Sequence, residues 1–238
     1  MSMTYPKINT LWKRKDTGKK KGCIIPGDYS EPEFESINRW SVTEKVDGTN
    51  IRIMFQSMGL RDSFDHDIQT LKFGGKTDKA EMPPLLMPVL KKHFTKDKFA
   101  EVFPGAHDVV LFGEGFGKKI QEPHGRRYIP DENDFILFDV WVDGWWFEYD
   151  AVKDIAEKFG VMAVPFIGIE SIDEIISRVK AKELSKVSVD DQTVEGYVCT
   201  AYPMMYYRNH RRPIRFKLKV SDYDKYDYPP KRLRGRGN

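Results

Sequence analysis

The stretch "IRFKLKV", Ile214 to Val220, leaves the backbone few choices. Ile214, Phe216, Leu218 and Val220 alternate with Arg215, Lys217 and Lys219. That is the period-two pattern of a strand with one face in a core and the other outside it. On the outer face, side chains two apart stand roughly 6.5–7 Å from one another. Three cations at that spacing suit a polyphosphate. The ordinary alternative is an edge strand that shows its charges to water and resists aggregation.

Other stretches fill in the fold class. "NIRIMF" alternates as a half-buried strand does, and "VVLFG" and "FILFDVWV" read as buried strands. Asp143-Gly144 followed by "WWFEY" predicts a hairpin through a two-residue turn. Residues 85–99 carry a helical stripe of Leu85, Leu86, Val89, Leu90 and Phe94, with Pro88 in its first turns. A second helix is expected with Asp150 as its cap, Val152, Ile155, Ala156 and Phe159 inward, and Gly160 as its stop. A third opens on the capping box Ser171-x-x-Glu174, with Ile172, Ile175, Ile176 and Val179 inward. "VEGYV" and "IRFKLKV" are late strands. Strands, helices and strands again, without regular alternation, predict an α+β fold with antiparallel sheets. Residues 1–40 read as irregular.

A chain of 238 residues with 40% hydrophobic and 32% charged residues is long enough for one substantial core. The net charge of +3 says little, but its distribution says more. From Arg208 to Asn238, eleven basic residues face three acids, and Lys13 to Lys21 form a second basic run. Such patches in a near-neutral chain point to a polyanion, against the plain reading of solvated termini. Cys23 and Cys199 show no paired framework and read as reduced thiols of a cytoplasmic protein. The five histidines (66, 93, 107, 124, 210) have no metal-ligand spacing. No apolar leader region and no run of transmembrane length is present, "FILFDVWV" being short and broken by Asp139.

Several residues carry chemistry. "KFGGKT", residues 72–77, looks like a phosphate loop but fails the G-x-x-x-x-G-K-[ST] rule, because Thr70 stands where glycine is needed. Glu114 in "LFGEGFG" and Glu195 in "VEGYV" are acids in strands made for burial, a costly placement unless they are paired or bind a metal. Carboxylates for Mg²⁺ and lysines for phosphates make one set. Lys45, in "TEKVDGTNIRI", is the candidate nucleophile, and the bland alternative is a surface hairpin. A lysine nucleophile attacks as the neutral amine, so its pKa is expected to be lowered, here by the field of Lys217, Lys219 and a metal.

Taken together, "EKVDGTN", "GEGFG", "FDVW", "EGYV" and "FKLK" resemble, in order, the motifs of the covalent nucleotidyltransferases, the ATP-dependent DNA and RNA ligases and mRNA-capping enzymes. The resemblance spans Thr43 to Val220. In detail the chain is most similar to RNA ligases of the phage, double-strand-repairing type, through Asn50 and the "GxxIQ" run ending at Ile120-Gln121. It implies an ATP-grasp-like adenylation domain of antiparallel sheets flanked by helices. It also implies roles. Lys45 attacks the α-phosphate of ATP, and Asp47 belongs to the same catalytic motif. Glu44 helps set the adenine site, and Phe138 stacks on adenine. Asn50 holds the metal's water shell or a reacting phosphate. Glu114 contacts the ribose and, with Glu195, the metal, Mg²⁺ or Mn²⁺. Lys217 and Lys219 hold the phosphates. AMP then passes to a 5′-phosphate, and a 3′-hydroxyl displaces it.

Lys76 stands where the family carries an arginine, and lysine lacks the bidentate fork. The expected division is an N-terminal segment (1–40), an adenylation domain (41–222) and a short basic tail (223–238). The expected enzyme is a minimal, monomeric one whose basic termini replace a substrate-gripping domain. The expected partner is RNA, as free ends or a nicked duplex. A DNA nick ligase, a capping guanylyltransferase and an inactive nucleic-acid-binding module of the same fold are the alternatives.

Overall fold

The alternation in "IRFKLKV" becomes the strand Arg215–Lys219, with Phe216 and Leu218 fully buried. The computed structural model describes residues 3–18, 20–61, 67–122, 124–209 and 211–227. The basic residues expected to act from position 231 onward, with Lys19, His66 and His210, lie outside the described residues.

The first part of the chain forms β1 (Asn9–Thr10), β2 (Trp12–Arg14), β3 (Ile24–Tyr29), α1 (Glu33–Ser36), β4 (Trp40–Lys45), β5 (Thr49–Arg61) and β6 (Asp67–Gly74). Then come α2 (Met87–His93), α3 (Lys96–Val102), β7 (Asp108–Gly117), α4 (Gly125–Tyr128), β8 (Asn133–Val142), β9 (Trp145–Trp146) and α5 (Tyr149–Phe159). The chain continues through β10 (Met162–Ala163), β11 (Phe166–Glu170), α6 (Ile172–Ala181), β12 (Gly196–Ala201), β13 (Arg215–Lys219) and α7 (Val220–Asp227). One sheet has the order β1-β13-β12-β4-β11. The other has the order β10-β8-β7-β5-β6, with β9 paired to β8. Pairing is antiparallel except at two short edges, where β1 joins β13 and β10 joins β8 in parallel. The fold is α+β, as the order of patterns predicts.

Each sheet has its own core on its outer face. Behind the first, Trp40, Val42, Tyr197, Cys199, Phe216 and Leu218 pack against Ile175 and Val179 of α6. Behind the second, Ile51, Ile53, Val109, Leu111, Phe135 and Leu137 pack against α2, α3 and α5. The α5 stripe of Val152, Ile155, Ala156 and Phe159 is buried as its spacing requires, and Gly160 ends the helix with φ 70°. The Ser171–Glu174 capping box is complete. The Asp143-Gly144 turn has φ 46° and 100°, the left-handed pair that a tight hairpin needs.

Four local expectations are corrected. Residues 1–40 are not irregular: β2 and β3 form a hairpin, β1 joins the first sheet, and Leu11, Trp12, Ile24, Phe34 and Ile37 enter its core. The charges and glycines of the 15–23 turn masked that apolar set. The stripe at 85–99 splits into α2 and α3, because the Thr95 side chain accepts the Lys98 N–H and starts a new helix. Glu148 rather than Asp150 precedes α5, so Asp150 falls in its first turn. Glu195 stands just before its strand, not inside it.

The inner faces of the two sheets meet through a polar tie. Arg215 of β13 is ion-paired with Asp139 of β8, both nearly fully buried. Tyr5 lies between them, donating to Asp139 at 2.9 Å and accepting from Arg215 at 2.5 Å. Its ring packs on Phe112, Phe138 and Trp146 at 5.0–5.9 Å. Removing one partner leaves a buried charge unmatched. Arg215→Met is therefore expected to cost about 3–5 kcal/mol of stability, and the double change Arg215→Met/Asp139→Leu to recover most of it. Urea denaturation midpoints check both.

Candidate active site

Lys45 ends β4, and its neighbours in the sheet bring the other cations to it. Gly196 of β12 lies opposite both Lys45 and Lys219, and Val198 lies opposite both Thr43 and Lys217. Residues two apart share a face, so the register sets Lys45, Lys217 and Lys219 on the inner side of the sheet. A Cβ at position 196 would meet the Leu218 carbonyl oxygen at 2.0 Å, so only glycine admits this pairing. Glu195, one residue earlier, bridges two of the lysines: one carboxylate oxygen accepts from Lys45 Nζ at 2.5 Å and the other pairs with Lys219.

Alternation sends Glu44 to the opposite face. Its buried carboxylate accepts from Ser185 Oγ at 2.5 Å and from the Lys186 N–H at 2.9 Å. The carboxylate thus anchors the segment after α6, while Glu44 also contributes to the cavity lining. Arg215 is likewise lost from the expected row of three cations, because Asp139 and Tyr5 hold it.

The turn after Lys45 is wedged onto the second sheet. A Cβ on Gly48 would lie 2.3 Å from the Gly115 carbonyl oxygen and 2.9 Å from Glu114 Cγ. The Gly48 N–H donates to the Glu114 carboxylate. The Asp47 N–H donates to Tyr128 Oη at 3.2 Å, and Tyr128 is fully buried. Asn50 is the cross-strand partner of Glu114. Its Oδ1 is buried and has no hydrogen-bond partner among the described residues.

Between the sheets lies a cavity of about 540 Å³, the size of an ordinary small-molecule site. Of the ten residues expected at the site, Glu44, Lys45, Asn50, Lys76, Glu114, Phe138 and Lys217 line it. Asp47, Glu195 and Lys219 stand at its Lys45 end. Buried Arg52 donates to the Gly75 carbonyl at 2.6 Å and pairs with Asp78 at 2.9 Å, which fixes the "KFGGKT" turn and delivers Lys76 to the cavity. Sequence reasoning missed Tyr5, Tyr128 and Asp139. Asp139 was findable, since it too is an acid in a run made for burial.

The electrostatics invert one expectation. Burial disfavours the Lys45 ammonium, but Glu195, Glu114 and Asp47 outweigh it and hold its pKa above the ordinary value. The lysine pushed down is Lys217, by burial first and then by Lys219, Lys45 and Lys76. Burial also raises Asp47, and it raises Glu114 to about 8 despite the attraction of Lys45. Lys45 thus rests as a paired ammonium.

Among the described residues no group of three or more His, Cys, Asp or Glu could form a metal cage. Mg²⁺ keeps waters and takes one or two carboxylates beside substrate phosphates, so it does not need such a cage. Glu114, Glu195 and the unpartnered Asn50 oxygen supply a donor set of that kind. No helix among the described residues is long and apolar enough to cross a membrane.

The RNA ligase family model matches residues 38–219. Among solved structures, the Naegleria gruberi RNA ligase with pyrophosphate is similar at TM-score 0.56 and 18% identity, over 94% of this chain and 64% of that one. A variant of the same enzyme with ATP and Mn is similar at 0.55 and 18%, over 92% and 63%. An archaeal ATP-dependent RNA ligase is similar at 0.55 and 16%, over 92% and 48%. The chain therefore spans less than two thirds of the length of these proteins, and likeness at such identity shows the fold. No curated protein sequence matches the chain.

Two outcomes follow. Glu195→Gln removes the carboxylate that holds the Lys45 ammonium, so the Lys45 pKa is expected to fall; a lysine ¹³Cε NMR titration reads it. Gly48→Ala forces the turn off the second sheet, with an expected loss of about 1–3 kcal/mol, read by thermal melting.

Proposed function

The chain belongs to the RNA ligase family, and on that premise we propose that it is an ATP-dependent RNA ligase that carries AMP on Lys45. The observation that carries this reading is the Lys45–Glu195–Lys219 bridge at the end of a nucleotide-sized cavity, facing Asn50 and Glu114 across the two sheets.

The cavity wall supports the chemistry step by step. Phe138 offers its ring to a base. Lys217, with its depressed pKa, and Lys76 line the wall as cations for phosphate oxygens. Glu44 acts behind the sheet, fixing the strand that ends in Lys45. Lys45 must surrender a proton to expose its lone pair. The amine then attacks the α-phosphorus of ATP. An N–P bond forms, the bond to the pyrophosphate oxygen breaks, and the nitrogen gives up a second proton. A 5′-phosphate oxygen next takes the AMP, and Lys45 leaves as the amine. Finally a 3′-hydroxyl attacks the activated 5′-phosphorus, and AMP departs. Glu195 and Glu114 would hold Mg²⁺, which would supply neutralisation of phosphate charge.

Splitting the condensation this way gives each displacement a good leaving group. RNA ends or a nicked RNA duplex are the substrates in this reading, and the protein works as a monomer in the cytoplasm. Incubation with α-labelled ATP and Mg²⁺ is expected to leave a denaturation-resistant label on the protein. The label is lost in Lys45→Ala, and its rate of formation climbs with pH, because only the neutral amine attacks. No label, or undiminished label in Lys45→Ala, would refute the reading. Preferential sealing of nicked DNA over RNA in the same preparation would move the substrate to DNA.

A further inference from the structure

The basic run found in the sequence divides into three parts in the structure. Arg215 is buried in the inter-sheet tie, and Lys217 and Lys219 serve the Lys45 end of the cavity. Of the others, Arg208, Arg211 and Arg212 belong to the connection between β12 and β13, which the proposed chemistry does not use. From Gly196 to Ser221 the sequence holds no acid at all.

Backbone hydrogen bonds tie the described residues of this connection in place. The Tyr202 N–H donates to the Arg39 carbonyl at 3.0 Å, Tyr207 to Arg212 at 3.0 Å and Ile214 to Met205 at 2.7 Å. Tyr206 Oη donates to the Trp146 carbonyl at 3.2 Å, fastening the tip to the other sheet. On this frame large side chains face outward: Tyr202 is 47% exposed, Met205 37% and Tyr206 36%. Arg208 and Arg211 are exposed beside them, and Arg212 lies over the Tyr207 ring at 5.2 Å. None of these three arginines forms an ion pair among the described residues, although Glu31 and Glu33 are close enough to Tyr207 to act on it electrostatically. Tyr202 and Met204 also border the cavity. Along β12, Tyr202 is six residues from Gly196, the partner of Lys45, a separation of about 20 Å.

Exposed tyrosine rings, Tyr202 at the cavity rim, together with the exposed Arg208 and Arg211, match one kind of occupant. Unpaired bases stack on aromatic faces irrespective of sequence, and their phosphates pair with arginine. A duplex hides its base faces and leaves only the charges to be met. We propose that Tyr202 and Tyr206, with Arg208 and Arg211, form a stacking platform for single-stranded RNA beside the site where ends are joined. The inference rests on the ligase reading for its choice of nucleic acid.

The test is fluorescence anisotropy with a short, labelled, single-stranded RNA at several salt concentrations, set beside labelling by α-labelled ATP without RNA. In Arg208→Ala/Arg211→Ala, RNA affinity is expected to fall on the order of tenfold and the salt slope to drop by about two. Its ATP labelling is expected to be unchanged. Tyr206→Ala is expected to bind more weakly than the unaltered protein, and Tyr206→Phe, which keeps the ring but loses the bond to Trp146, to fall between the two. Unchanged affinity and slope in the double arginine variant would overturn the proposal, as would an equal or greater loss for a blunt RNA duplex. Failure of ATP labelling in the unaltered protein would strike the ligase reading alone, because the binding measurement stands without it.

Discussion

The buried pair of Arg215 and Asp139 is what the two-sheet arrangement turns on. Each sheet packs its main core on an outer face, under α6 on one side and under α2, α3 and α5 on the other, and a smaller set, Met54, Val110, Phe112 and Trp146, gathers around Tyr5. Around the cavity stand Thr43, Lys45, Lys217 and Lys76, which cannot close into a dry core without heavy desolvation. A cavity is the natural outcome, and it needs something to fix its span. Arg215 and Asp139 do so from opposite sheets, with Tyr5 satisfying both. Burial pushes the Asp139 carboxyl up, while the guanidinium and the Tyr5 hydroxyl oppose it. The tie also explains why the N-terminal segment is ordered: it carries Tyr5 to the pair and then enters the sheet as β1.

Much of this was legible in the sequence, and the residues show why. Period-two alternation located β13, and capping chemistry located α6, because both are properties of a few neighbouring residues. Lys45, Glu195 and Lys219 were legible as a set because nucleotide chemistry needs those groups together. What escaped depends on remote partners. Nothing near Arg215 in the chain reveals Asp139, so it was grouped with the free lysines. Nothing near Glu44 reveals Ser185, although alternation alone puts the Glu44 side chain opposite that of Lys45. The direction of the Lys45 shift was missed for a related reason. The cations near it were counted, but three carboxylates surround it as well, and their sum decides the sign.

The carboxylate between the two lysines has a consequence for the protein's working states. At rest Glu195 balances the Lys45 and Lys219 ammonium groups at once. In the proposed reaction Lys45 ceases to be a cation and becomes the stalk of an anionic phosphoryl group. Glu195 then keeps Lys219 alone and gains a repulsive neighbour. Loaded and empty forms thus differ in the sign of the charge at one strand terminus, a contrast that any polyanion approaching that terminus encounters at close range. The site so keeps a one-bit record of whether it has been charged, written in its electrostatic potential rather than in its shape.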